Sequence, residues 1–404
     1  MSTSILYHAY GVRGYRHVRT EFKQGAVIFT IMQPLTSCRC PACQSAHVIG
    51  RGKTVRRFRT LPIGRKPTYL EFAVPRVECR DCGAVQQVAI DFAEPRVSYT
   101  KSFERYVLEL SRNMTIQDVA YHLEMSWDVI KDIQKRDLRK RFSRPRLRDV
   151  SLIAIDELSI GAGHRYLTVV LDLTSGAVIH VGQGKGGDAL LEFWKKLRRS
   201  RARIQAVATD MSPAYIDAVT THLPEAKLVF DRFHVMKLFN EKLSELRREM
   251  YHEIKDKMQR QVLKGVRWLL LKRPENLDVS HHEQKRLEEA LRLNQPLATA
   301  YYLKEELREF WEQDHYYDAE AFLLDWILRA ETTGIRMLIN FAKTLRFHAF
   351  GLLAYYDYPI STGPLEGTNN KIKTMQRQAY GFRDQEFFIL KILALHETKY
   401  ALVG

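Results

Sequence analysis

Ser151-Leu-Ile-Ala-Ile-Asp156, Tyr166-Leu-Thr-Val-Val-Leu-Asp-Leu173 and Ala177-Val-Ile-His-Val181 decide how the second half of this chain folds. They are apolar, rich in β-branched residues and separated by turn residues such as Thr-Ser-Gly, so they read as a three-strand meander. An amphipathic helix near Asp188 to Arg199 follows, then Ile204-Gln-Ala-Val-Ala-Thr-Asp210, a helix near Pro213 to Thr221, and Lys227-Leu-Val-Phe-Asp231. Two of these runs, at Asp156 and Asp210, end in a carboxylate just past an apolar stretch, where a chain leaving a buried sheet presents side chains at its edge.

Strand, strand, strand, helix, strand, helix, strand is the ribonuclease H-like order. Residues 232 to about 360 then read as mostly helical, with charged amphipathic stretches, which is the pattern of an inserted helical domain. Order returns at Ser361-Thr-Gly-Pro-Leu-Glu366-Gly-Thr-Asn-Asn-Lys371, a Gly/Pro-punctuated start to a helix with one acid among basic and amide residues. Glu366 is either a first-turn acid favoured by the helix dipole or a third metal ligand beside two from strand ends.

Outward to the N-terminus the character changes. The chain has 404 residues and a formal charge of +16, yet residues 1–150 alone hold 27 basic and 14 acidic side chains. That concentration suits a polyanion, with nucleic acid ahead of an acidic membrane surface; a solvated basic face is the plain alternative. Hydrophobic residues are 45% and no run resembles a membrane span or a secretory leader, so a cytoplasmic protein of two to four domains is expected.

All five cysteines lie between Cys38 and Cys82. Cys40-Pro-Ala-Cys43 and Cys79-Arg-Asp-Cys82, with 35 residues between them, have the spacing of two zinc knuckles, four thiolates closing a structural tetrahedron. Tyr69 to Cys79 alternates like a strand entering the second knuckle, as in a ribbon. Disulfides or a redox pair are the alternatives, and spacing does not settle whether Cys38 takes the place of Cys40. Arg51, Lys53, Arg56, Arg57 and Arg59 form a basic run between the knuckles that can track phosphates.

Next, Thr115 can cap one helix, a turn falls near Leu123 to Met125, and Ser126 can cap a second helix with apolar positions Val129, Ile130 and Ile133. This reads as helix-turn-helix. Ser126, Trp127, Lys131, Lys135 and Arg139 then become candidates for DNA contact, although Trp127 fits a core position equally well.

Taken with Ala154-Ile-Asp-Glu157, Ala208-Thr-Asp-Met-Ser-Pro-Ala-Tyr215, Phe230-Asp-Arg-Phe-His-Val-Met-Lys-Leu238 and Gly381-Phe-Arg383, these segments resemble the DDE transposases of bacterial insertion sequences, specifically the ISL-three family. The resemblance covers nearly the whole chain. It implies a catalytic triad at Asp156, Asp210 and Glu366 and an Asp-x-x-His element at Asp231 and His234, where His234 either orients a scissile phosphate or packs against the sheet. It also implies two Mg²⁺ or Mn²⁺ ions per active site, structural Zn²⁺, and Lys371, Lys373, Arg377 and Arg383 gripping DNA near the cut. The expected activity is binding of terminal inverted repeats, metal-dependent cleavage and 3′-hydroxyl transfer to target DNA, by a homodimer on double-stranded DNA, with no membrane partner, in a bacterial cytoplasm and associated with the nucleoid.

The expected architecture is multidomain α+β: a zinc-ribbon-like domain over 1–97, a helix-turn-helix domain over 98–148, and a ribonuclease H-like catalytic domain over 149–231 and 361–404. An all-helical insertion over 232–360 interrupts the last. A sequence-specific DNA-binding regulator with a silent catalytic domain, and a structure-selective nuclease of the same fold, remain as alternatives. Glu157, beside Asp156, is a second acid that a mutational test should control for.

Overall fold

In the computed structural model, which describes residues 4–161 and 163–396, two glycine-assisted hairpins set up the first sheet. Gln24 and Gly25 both take positive φ (50° and 76°), the backbone a tight two-residue turn between right-twisted strands requires, and they join β1 (Arg16–Lys23) to β2 (Ala26–Met32). Gly64 (φ 58°) joins the long β3 (Val48–Ile63) to β4 (Lys66–Cys79), and a short β5 (Val85–Gln87) pairs back onto β4. The sheet order is β1-β2-β4-β3, with β2 and β4 parallel. Thr68, Leu70, Phe72 and Val74 alternate inward along β4 and pack with Phe29, Phe58 and Phe92.

Three helices follow, Lys101–Leu110, Ile116–Leu123 and Trp127–Phe142. Their boundaries are chemical. Thr100 accepts from Phe103 N, Thr115 and Asp118 form a reciprocal capping box, and Ser126 accepts from Val129 N. Glu124, at φ 52°, ends the second helix in the left-handed conformation and makes the tight turn. Phe103, Val107, Val119, Leu123, Ile130 and Ile133 form a separate apolar cluster inside this bundle. Of the described residues, those up to 143 make one compact unit and 144–396 a second.

The second unit is built on β6 (Leu152–Gly161), β7 (Arg165–Asp172), β8 (Val178–Gln183), β9 (Ala206–Thr209) and β10 (Lys227–Phe230). The order is β10-β9-β6-β7-β8, antiparallel across β6, β7 and β8 and parallel across β6, β9 and β10. Helices Leu191–Ser200 and Pro213–His222 make the connections into β9 and β10. One expectation needs correcting: Asp156 is not at a strand end. β6 runs on to Gly161, and Asp156 sits opposite Val169 on β7. The continuation Glu157-Leu-Ser-Ile keeps a strand-like alternation, and β7 supplies partners for it, so the ladder persists on one side only.

From Arg232 to Tyr356 every regular element is helical, beginning with the 22-residue helix Arg232–Glu253. This segment does not pack as a separate core. Phe239, Leu243, Trp326 and Phe341 belong to the same continuous apolar cluster as Ile153, Val170, Val207 and Phe230 of the sheet. Contact is close at Gly351 in helix Ala349–Leu353, where a Cβ would approach the Phe230 ring to 2.4 Å. The chain then returns through helix Gly363–Gln378, which hydrogen-bonds to β6, and helix Gln385–Leu393.

Candidate active site and metal centre

The parallel registers align three acids. Ala154 pairs with Ala208 and Thr209 with Phe230, so carrying the two ladders on by one or two residues sets Asp156, Asp210 and Asp231 in one row across β6, β9 and β10. β9 and β10 stop just before their acids, which opens that edge of the sheet. Each acid is held by a different partner. Asp156 Oδ1 accepts from Glu157 N (2.7 Å) and Oδ2 from Asn369 Nδ2 (2.9 Å). Asp210 Oδ1 accepts from Ser212 N (3.0 Å). Asp231 caps the following helix through Phe233 N (3.0 Å) and also accepts from Thr362 N (3.1 Å), a bond across 131 residues that fixes the turn carrying Glu366 to the end of β10.

The electrostatics follow from that crowding. Burial pushes the Asp156 carboxyl above its ordinary range; the Asp210 and Glu157 charges add to the rise, against the Glu157 N–H and His234. Asp231 is buried too, which alone would raise it, but His234 and the Thr362 N–H hold it below the usual carboxylate range. His234 Nδ1 lies 3.4 Å from Asp231 Oδ2, an ion-pair distance without hydrogen-bond alignment. Burial opposes its protonation, while Asp231, Asp156 and Asp210 together raise its pKa. His234 therefore faces the acid row.

Glu366 is exposed on the first turn of helix Gly363–Gln378. Asn369, three residues further along the same helix, is the residue that reaches Asp156. The three expected triad acids do not close around one point: among the described residues, the only group of metal-ligating side chains close enough for a single ion is Cys40, Cys43, Cys79 and Cys82. Sequence reasoning missed Asn369, whose i+3 spacing from Glu366 was its available signal, and Thr362, which acts through its backbone and leaves none.

The cysteine site is already assembled. All four Sγ atoms lie within 4.8 Å of one another. Each knuckle closes with the same backbone bond, Gln44 N to Cys40 O (2.9 Å) and Gly83 N to Cys79 O (3.0 Å), and His47 braces the second knuckle through Asp81 (3.1 Å). Cys38 stands apart: it is fully buried in the apolar core, its thiol directed at Pro34 O.

The candidate DNA contacts divide by exposure. Arg51, Lys53 and Arg57 are exposed on β3, Arg51 and Arg57 pairing with Glu78 and Glu71. Arg56 is half-buried and donates to Val97 O. Arg59 is a correction: only 4% exposed, it donates to Leu123 O, tying β3 to the helix pair, and is not available to DNA. Ser126 spends its hydroxyl on the cap, while Trp127 is 44% exposed with the Lys131 ammonium over its ring, outside the bundle core. Lys135 is half-buried and Arg139 exposed on the same helix; Lys371, Arg377 and Arg383 are exposed and Lys373 half-buried past Glu366.

A row of acids across the parallel strands, a four-thiolate site and a capped helix-turn-helix are together the features of a nucleic-acid-processing protein with a separate reading module. Comparison with known proteins gives the family. A model described as Transposase matches residues 153–392, the helix-turn-helix domain of transposase family ISL3 matches 79–137, and the zinc-finger of transposase IS204/IS1001/IS1096/IS1165 matches 36–82. The chain is 33% identical to the transposase for insertion sequence element IS1001 of Bordetella parapertussis, over 95% of this chain and 96% of that one. It is 29% identical to the transposase for IS1557 of Mycobacterium tuberculosis, over 94% and 91%. The chain belongs to the ISL3 family of transposases. A solved structure titled Drosophila P element transposase strand transfer complex aligns at 11% identity and TM-score 0.40, over 76% of this chain and 94% of that one, too distant to carry weight. Among the described residues no helix is long and apolar enough to cross a membrane.

Proposed function

We propose that this chain is an insertion-sequence transposase that cuts DNA at its element's terminal inverted repeats and joins the freed 3′-hydroxyl to target DNA. The observation that carries the reading is the single row of Asp156, Asp210 and Asp231 on the open edge of a sheet, with the turn of Glu366 tied to it through Asp231 and Asn369. The sheet order and strand directions support a ribonuclease H-like core, and in this reading the helical segment 232–360 interrupts that core in sequence while sharing its apolar interior. In this reading 149–231 and 361–404 form the catalytic domain, 1–97 the ribbon and 98–148 the helix-turn-helix.

The donor set fits hard divalent cations. Carboxylates share one row, and Asp156 carries an ionisation penalty that a cation would relieve. Asp156, Asp210 and Glu366 would hold Mg²⁺ or Mn²⁺, two per site, which supply charge neutralisation at the phosphoryl group and lower the pKa of the attacking water. The chain's own residues do the rest. Asn369 fixes the Asp156 carboxylate, Asp231 orders the turn of Glu366, and His234 offers a proton and positive charge beside the row. Water attack at the element end breaks the phosphodiester and leaves a 3′-hydroxyl; that hydroxyl then attacks a target phosphodiester in line, its proton leaving as the new bond forms and the target's own 3′-oxygen departs. The four cysteines would hold Zn²⁺, the helix Trp127–Phe142 would read the repeat in the major groove, and bringing two ends together calls for a homodimer on DNA in the bacterial nucleoid.

The test is a labelled duplex of the terminal repeat with a plasmid target and Mg²⁺ or Mn²⁺. Asp156→Ala, Asp210→Ala and Glu366→Ala should each lose cleavage and joining by about 10³-fold or more while end binding survives, with Glu157→Ala as the control. Cleavage that persists in these three variants would overturn the assignment.

A further inference from the structure

We propose that a groove running from Asp231 along helix Arg232–Glu253 is a track for a single DNA strand leading to the acid row. This rests on the transposase reading and adds a binding site to it. The groove encloses about 1090 Å³, and Asp231, Ser361 and Gly363 line it together, so one end abuts the acids and the turn of Glu366. A groove of that size, at the upper end of small-molecule clefts, admits a few nucleotides of one strand and not a duplex. One wall is a continuous helix face in which Phe233, Lys237, Ser244 and Arg248 recur at helical spacing; Arg267 and Trp311 also line it.

The charge is asymmetric in a telling way. Arg232, Lys272, Arg273 and Arg308 also line the groove but are engaged by Glu312, Glu283, Glu275 and Glu305. Lys237, Arg248 and Arg267 are exposed and have no carboxylate ion pair among the described residues, Arg248 Nε donating to Ser244 O (3.3 Å) and the Arg267 guanidinium lying over the Trp268 ring; of the acids on the same helix, Glu245 is paired with Lys242 (2.8 Å) and Glu241 also lines the groove. Three cations without a carboxylate partner along one groove suit successive phosphates. The aromatic side adds Phe233, which is half exposed, while Trp311, 7% exposed with the Arg232 guanidinium over its ring, contributes an indole N–H that is buried and has no acceptor. A cationic channel with an aromatic face and a spare buried donor is the chemistry that holds single strands without reading their sequence.

The experiment is fluorescence anisotropy of the zinc-loaded protein across a salt series without Mg²⁺ or Mn²⁺, so that nothing is cut and a failure of the cleavage assay leaves the result readable. Two probes are compared: a blunt duplex of the terminal repeat, and the same duplex with eight thymidines of single strand continuing past the end. Wild type should bind the extended probe more tightly and with a steeper salt dependence. The triple variant Lys237→Gln, Arg248→Gln, Arg267→Gln should bind the blunt probe as wild type does but lose that gain, its log–log salt slope falling by about 2, or about 0.7 per phosphate contact. Each single variant should lose its own share, which decides the matter if the triple variant does not fold. An equal gain in the variants, or no gain in wild type, would overturn the track.

Discussion

The cysteine site of the first unit and the acid row of the second solve opposite problems with the same kind of local instruction. Four thiolates sit within 4.8 Å of one another, braced by paired backbone bonds, and need nothing from the rest of the chain beyond the β3–β4 hairpin between them. The acids come from strands and a helix far apart in sequence, are held in place by Asn369 and Thr362, and leave their edge of the sheet open. A structural site is closed so that its metal stabilises the fold; a reacting site must keep room for substrate, so its ligands are fixed from behind. The packing differs as well: among the described residues the first unit has two small apolar clusters, and the second has one large cluster beside a small one of Ala206, Val229 and Ala354.

The sharpest break of the comparison is at the cysteines. Cys43→Ser, or exposure to a strong chelator, should release one zinc per chain and unfold the first unit, because structural zinc contributes about 10 kcal/mol or more in small domains. The melting of the second unit should not move; calorimetry with metal analysis reads both. Asn369→Ala should act the other way, leaving folding and end binding near wild type while cleavage falls about 10- to 100-fold, as expected for a residue acting through a ligand. Single-turnover rates check it, and Asn369→Asp, which puts a charge against Asp156, should be worse than Ala.

Why Asn369 escaped sequence reasoning is physical. The knuckles, the Thr115 and Ser126 caps and the strand-helix order are all local patterns, legible because spacing alone determines them. The acid row depends on register between strands 54 and 21 residues apart, and Asn369 on a helix that returns 213 residues after Asp156. Arg59 was misread for a related reason: composition marks a basic strand but not the point at which β3 passes beneath the helix pair, where Arg57 stays exposed and Arg59 is covered. The helical segment reads as an insertion, yet nothing local reveals that Phe230 packs against Gly351.

That contact gives the next test. Gly351→Val would drive a side chain into the Phe230 ring and should cost the second unit about 1–3 kcal/mol, read by urea denaturation, while the first unit is unchanged. The smallest effect is expected at the helix-turn-helix. Thr115→Ala removes one half of a capping box and should cost about 1 kcal/mol in the first unit alone.

The most direct measurement is Mn²⁺ binding, followed by electron paramagnetic resonance, with terminal-repeat duplex present and zinc content measured in parallel. Wild type should take up Mn²⁺ at the acid row, and Asp156→Asn and Asp210→Asn should each lose that uptake while keeping zinc and DNA binding. Mn²⁺ uptake that is unchanged in both variants would contradict the assignment of the acid row as the catalytic centre.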